Sequence, residues 1–249
     1  MKEFGAYFQV YKNPYATYKC LESFRSFYPF NTIILVSDNG YNYTKMAEYF
    51  NCIYIHSNEQ ILLIYNDLTT NDYIQNSFKL IDRFINAIQL IEEDYVILLE
   101  DDVVINNKID DELKYDINGY CPNFIFKQND DIINNLLVEY PFLDINARYS
   151  GHGGSIFNKN NIITYLSNKP IIDIILQNWN IWHKYNIPIN ICQDYLYSII
   201  TIFNKGTIGP LNNHLDCNYL NTNITIQHQY KVYYNVEMPS SIKHLYDIN

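Results

Sequence analysis

Three consecutive acids, Glu100-Asp101-Asp102, close the apolar run Tyr95-Val-Ile-Leu-Leu99, and they are the strongest chemical signal in the chain. The run is too short for an ordinary helix and reads as a buried strand covered on both faces. Open α/β sheets place their ligands beyond the carboxyl ends of such strands. If the backbone stays extended, Glu100 and Asp102 project to one side and Asp101 to the other. Adjacent carboxylates repel and are costly beside a core unless a cation or donors offset them. A hard divalent ion is the simplest offset, and it can in turn hold a diphosphate. The bland reading is a solvated acidic turn.

The elements that must position these acids follow from hydrophobic spacing. Ala6–Val10 reads as a first strand, then Asn13-Pro14 starts a helix that runs to about Phe27, before Pro29. Thr32–Val36 is a second buried strand, ending in the turn Ser37-Asp38-Asn39-Gly40. A short helix, Lys45–Phe50, leads to a third strand, Cys52–His56. A long helix then sets Ile74, Phe78, Ile81, Ile85 and Ile88 in one apolar stripe. Lys79 and Arg83 lie on its other side, which reads as solvated, with Arg83 kept as a candidate phosphate contact. Alternating strands and helices predict a parallel sheet with right-handed crossovers.

Beyond Ile105 the pattern changes. A helix is expected over Asp131–Glu139, stopped by Pro141. In Ser150-Gly-His-Gly-Gly-Ser155, three of the chain's eight glycines fall within four residues, which lets a loop approach a ligand or another backbone closely. Asn161–Leu166 and Ile172–His183 read as helices, the second carrying Trp179 and Trp182 as core residues. Gln193-Asp194 opens an apolar helix, Tyr195–Phe203, with Asp194 in the first turn, where the helix dipole favours its charge. Such an acid is usually only a cap. Ile224–Lys231 reads as a strand ending on His228 and Lys231. His152 and His183 read as ordinary histidines.

Composition bounds the answer. The 249 residues, 48% hydrophobic and 18% charged, suit a globular chain with a sizeable core. A net charge of −10 leaves no basic stripe for nucleic acid or a membrane surface. The 25 tyrosines are best explained by codon bias, with sugar stacking kept only for those near the acids. The five cysteines show no zinc spacing and are expected reduced, in a cytoplasmic compartment. No signal region or membrane span is found, so Asn42 and Asn223, in Asn-x-Thr triplets, are expected to stay unglycosylated.

Taken together, these features resemble the GT-A class of sugar-nucleotide-dependent glycosyltransferases over nearly the whole chain. Glu100-Asp101-Asp102 is similar to that class's DxD motif, and Asp38 lies where the class contacts the nucleobase or ribose. Gly153-Gly154-Ser155 looks like its acceptor-side glycine segment. Gln193-Asp194 looks like its catalytic-base motif, with Gln193 in place of the more usual Glu. His228 and Lys231 resemble the metal-ligating His and diphosphate-binding Lys of some members.

The resemblance implies a GT-A-like, mostly parallel Rossmann-type sheet flanked by helices in one domain. Residues 1–105 would bind nucleotide and 106–249 acceptor. It implies a divalent ion, Mn²⁺ or Mg²⁺, on Asp102 and His228, with His214 and His244 as alternative ligands. Val10, Tyr11, Asp38, Asn39, Arg83, Glu100, Asp101 and Lys231 would contact a nucleoside-diphosphate sugar, a UDP-sugar being favoured. Gly153, Gly154 and Gln193 would face a glycan, protein or lipid-linked acceptor. Asp194 would be the general base of an inverting transfer. The alternatives are a sugar-phosphate nucleotidyltransferase and a non-catalytic carbohydrate-binding relative. The former usually needs a basic, Gly-rich loop after the first strand, where Tyr11-Lys12-Asn13-Pro14 supplies one lysine.

Overall fold

The computed structural model describes residues 4–61, 63, 70–126, 131–144, 146–177 and 193–247. The first half alternates as expected: β1 (Phe4–Val10), α1 (Pro14–Phe27), β2 (Ile33–Asp38), α2 (Thr44–Tyr49), β3 (Ile53–Ser57), α3 (Thr70–Ile88) and β4 (Tyr95–Leu99). After β5 (Val104–Ile105) and β6 (Ile117–Gly119) come α4 (Asp131–Glu139), β7 (Ile156–Asn158), α5 (Lys159–Leu166) and α6 (Lys169–Gln177). The chain continues with α7 (Gln193–Phe203), β8 (Ile208–Pro210), β9 (His214–Asp216) and β10 (Ile226–His228). Trp179, Trp182, His183 and Cys192 lie outside the described residues.

Seven strands form a mostly parallel sheet in the order β3-β2-β1-β4-β7-β6-β8. β1 pairs in parallel with β2 on one side and with β4 on the other. β7 enters antiparallel between β4 and β6. The alternation of side chains along the strands sorts the core into two layers. Tyr7, Ile34, Val36, Val96 and Leu98 pack with α3, α5, α6 and α7. Phe8, Ile33, Leu35, Ile97 and Leu99 pack with α1 and α2. With both faces covered, these strands read as continuous apolar runs rather than alternating ones.

A second sheet, β5-β10-β9, folds the end of the chain back against the region after β4. Its third strand is shorter than the sequence pattern implied. β10 stops at His228, Gln229 turns with φ +62°, and Lys231 opens a short 3₁₀ turn, Lys231–Tyr233. Among the described residues no helix is long and apolar enough to cross a membrane, and Cys20, Cys52, Cys121 and Cys217 are free.

Candidate active site

The strand order places a topological switch between β1 and β4, because the chain builds outward from β1 to β3 and then crosses back to the other side of β1. Crevices at such points, beyond the carboxyl strand ends, are where open α/β sheets bind ligands. A cavity of about 380 Å³ opens there. Val10 and Tyr11 line it from the end of β1, Asp38 from β2, Glu100, Asp101 and Asp102 from β4, and Gln229, Lys231 and Tyr234 from the tail. Asn39, also expected at the site, does not line it; its backbone takes φ +54° and its N–H donates to Ser57 O.

The acids do not continue the strand. Val103 N–H donates to Glu100 O at 3.1 Å, closing a turn over the triplet. The expected division survives through that turn. Glu100 Oε2 and Asp102 Oδ1 lie 3.2 and 3.5 Å from His228 Nε2. Asp101 points elsewhere, accepting from the Asn13 amide at 2.8 Å and from the Tyr234 hydroxyl. Asn13 starts α1 without capping it through its side chain, which is spent on Asp101 instead.

Whether these residues suit a divalent cation can be judged from their own chemistry. One donor atom each from Glu100, Asp102 and His228 lies within 4.8 Å of the others. Asp102 is 5% exposed, and its Oδ1 has no hydrogen-bond partner. A buried carboxylate oxygen without a partner costs free energy that a cation would recover. Two carboxylates and an imidazole fit Mn²⁺ or a similar ion. Among the three candidate histidines, His228 is the one whose ring nitrogen lies beside Glu100 and Asp102. His214 has both ring nitrogens engaged, one with Tyr120 N–H at 2.9 Å and the other with Gly153 O at 3.0 Å. His244 is exposed on a 3₁₀ turn and does not line the cavity.

Electrostatics agree with this crowding. Burial pushes the Asp101 and Asp102 carboxyls up, and Glu100 adds to both. Burial alone would lower His228, but its hydrogen bonds to Asp216 and Glu100 outweigh that and drive it up. Asp216 Oδ1 sits 2.8 Å from His228 Nδ1, which turns Nε2 toward Glu100 and Asp102. Lys231 Nζ, half exposed at the mouth, stands 3.8 Å from Asp102 Oδ2.

Arg83 is not on a solvated face. Its side chain is 10% exposed and ion-paired with Asp38, which also accepts from Gln9 Nε2 and Ile61 N–H. The long α3 helix carries the guanidinium inward behind Asp38, so Arg83 supports the cavity wall and does not line it. Lys79 does face solvent, paired with Glu59 at 2.6 Å.

The acceptor-side candidates surround the far flank. A Cβ at Gly153 would stand 2.8 Å from His228 Cδ2 and 2.9 Å from Glu100 Oε2, so the glycine lets this loop close over Glu100 and His228. Gly154 takes φ +91° against His214. Asp194 lies at the start of α7, beside the backbone of Gly151, and does not line the cavity. One turn later, the buried Tyr197 hydroxyl has no partner, and the charges of Arg83, Glu100 and Asp194 all act on it. Gln193 Nε2 is likewise buried without a partner among the described residues. His152 is no ordinary loop histidine: it is 7% exposed with its ring 5.1 Å from that of His228. The sequence also gave no sign of Gln9, Asn13, Gln229, Tyr234 and Asp216, all polar residues with no spacing that ties them to the acids.

No protein-family model matches the chain, and no curated protein matches its sequence. Solved structures similar to it include a galactosyltransferase, LgtC, in complex with donor and acceptor sugar analogues. That pair is 10% identical with a TM-score of 0.49, covering 96% of this chain and 99% of the other. The glycosyltransferase GlyE of Streptococcus pneumoniae TIGR4 is 11% identical, with a TM-score of 0.41, and 85% of this chain covers 46% of it. The bifunctional IspDF from Campylobacter jejuni is 14% identical, with a TM-score of 0.42, and 84% of this chain covers 49% of it.

Proposed function

We propose that the chain is a cation-dependent glycosyltransferase that moves a sugar from a nucleoside diphosphate to a hydroxyl acceptor. The observation that carries this reading is the group Glu100, Asp102 and His228, with a buried Asp102 Oδ1 that makes no hydrogen bond, at the switch-point cavity that Asp38 and Lys231 also line. An acid-rich cavity repels a diphosphate unless a cation stands between them. Glu100, Asp102 and His228 would hold that ion, Mn²⁺ or Mg²⁺. When bound, it neutralises charge on the departing diphosphate. Lys231 supplies a second positive charge to the same oxygens. Asp38, fixed by Arg83, and the Val10–Tyr11 edge take the nucleoside, with a UDP-sugar as the favoured donor.

Asp194 is the proposed base, taking the acceptor hydroxyl proton as that oxygen attacks the anomeric carbon from the face opposite the leaving group, with inversion. Gly153, Gly154 and Gln193 border the acceptor, a glycan or a protein- or lipid-linked hydroxyl. Residues 1–105 serve the donor and 106–249 the acceptor, with one exchange: His228 and Lys231 reach back to the donor side. Free thiols fit a cytoplasmic setting.

The test is release of nucleoside diphosphate from a panel of UDP-, GDP- and dTDP-sugars with Mn²⁺. Asp102→Asn should lower release by about 100-fold or more. Asp194→Asn should lower transfer by roughly 10²–10⁴-fold while leaving nucleotide affinity nearly intact. Loss of nucleotide binding in Asp194→Asn would mean that the base lies elsewhere.

A further inference from the structure

His152, Asp216 and His228 assemble a second group of donors on the side of the His228 ring away from Asp102. His228 Nδ1 is 2.8 Å from Asp216 Oδ1, and His152 Nε2 is 4.0 Å from the same oxygen. One donor atom from each of the three residues lies within 4.8 Å of the others. His152 Nε2 is buried and has no hydrogen-bond partner, so an imidazole nitrogen faces this group unused. The third imidazole in the row, His214, lies 5.3 Å from His152 ring to ring and is spent on Tyr120 and Gly153.

We propose that His152, Asp216 and His228 form a second cation seat, selective for a zinc-class ion and sharing only His228 with the oxygen-rich seat at Glu100 and Asp102. Two imidazole nitrogens and one carboxylate suit Zn²⁺, whereas the carboxylate-rich set suits Mn²⁺ or Mg²⁺. Tetrahedral ligands on ~2.1 Å bonds stand ~3.4 Å apart, so the present spacings need only small side-chain shifts. Asp216, with its side chain 40% exposed, supplies the entry path and leaves a position open to water. Each seat uses a different nitrogen of the one His228 ring. Zn²⁺ on Nδ1 displaces the bond to Asp216 and leaves Nε2 carrying the proton, so Nε2 no longer serves the first seat. Zinc therefore antagonises the first cation. That consequence rests on the proposed transferase site; the zinc seat itself does not.

The experiment is calorimetric titration of Zn²⁺ into the full chain and three variants, with a thermal melt of each. The wild type should bind one tight Zn²⁺. His152→Gln should weaken it by about 10-fold or more, while Asp102→Asn should leave it within about threefold, a gap well inside one decade of affinity. Asp216→Asn, which alters a part-exposed carboxylate, should repeat the His152→Gln result and keeps the test decisive if His152→Gln misfolds. Wild-type affinity in both His152→Gln and Asp216→Asn, or an equal loss in Asp102→Asn, would overturn the second seat. A parallel Mn²⁺ titration separates the two proposals. Failure of Mn²⁺ to bind, with the zinc pattern intact, sinks the transferase reading and leaves the zinc seat standing.

Discussion

Asp38 and Arg83, 45 residues apart in sequence, meet behind the cavity in an ion pair that water barely reaches. Arg83 Nε and one terminal nitrogen already lack partners, so the guanidinium depends on this carboxylate. Removing one member of a buried pair leaves an uncompensated charge. Asp38→Ala should therefore cost about 3–5 kcal/mol in urea unfolding, and Asp38→Ala with Arg83→Leu distinctly less. A cost below about 1 kcal/mol for Asp38→Ala would show the pair to be structurally idle. Cys52 gives a pH test. Burial pushes its thiol up to about 12, with Arg25 opposing. The folded state thus keeps a proton that the unfolded chain loses above about pH 8.5. Stability is full below that pH and falls as pH rises toward 12, by about 2 kcal/mol at pH 10 from this group. Cys52→Ala should flatten the decline between pH 8 and 10, and an unchanged slope would refute the assignment. At this scale the acids were legible in the sequence because three in a row after an apolar run mark themselves, whereas His228 and Lys231 came only from the family resemblance, with His214 and His244 left open beside them. His152, Asp216 and Tyr234 were not legible, since only the folded chain brings them to the triplet.

At the scale of elements, the loop before β7 is held to β4 by Gly154 N–H on Leu98 O at 2.7 Å and Leu98 N–H on Ser155 O at 2.9 Å. That clamp leaves Gly153 no room: a Cβ would also stand 2.6 Å from Val103 Cγ2. Gly153→Ala should shift the loop or the ligands and weaken Mn²⁺ binding by about tenfold, measured by calorimetry. Unchanged affinity would mean that the loop does not set the ligand geometry. The long elements of the first half were readable to within two residues at their ends, because buried strands and an amphipathic helix carry strong apolar patterns. β5, β6, β7, β8 and β9 were missed. Two or three residues are too few for periodicity to register, and neighbouring strands, not local propensity, hold them extended. Arg83 was misplaced for a related reason: helical spacing put it opposite the main apolar stripe, but α3 lies between the sheet and other helices and buries more than one stripe.

For the whole molecule, the parallel sheet lays the ends of β1, β2 and β4 side by side, and the small sheet swings the tail back so that His228 and Lys231 face the acids. The central claim is that this convergence exists to hold a cation beneath a diphosphate. Calorimetric titration of UDP into the full chain tests it most directly, with Mn²⁺ and with EDTA, in the wild type and in Asp102→Asn. The expected result is binding in Mn²⁺ that weakens by about 100-fold or more in EDTA and in Asp102→Asn alike. Equal affinity with and without the metal, or an Asp102→Asn variant that binds like the wild type, would contradict it.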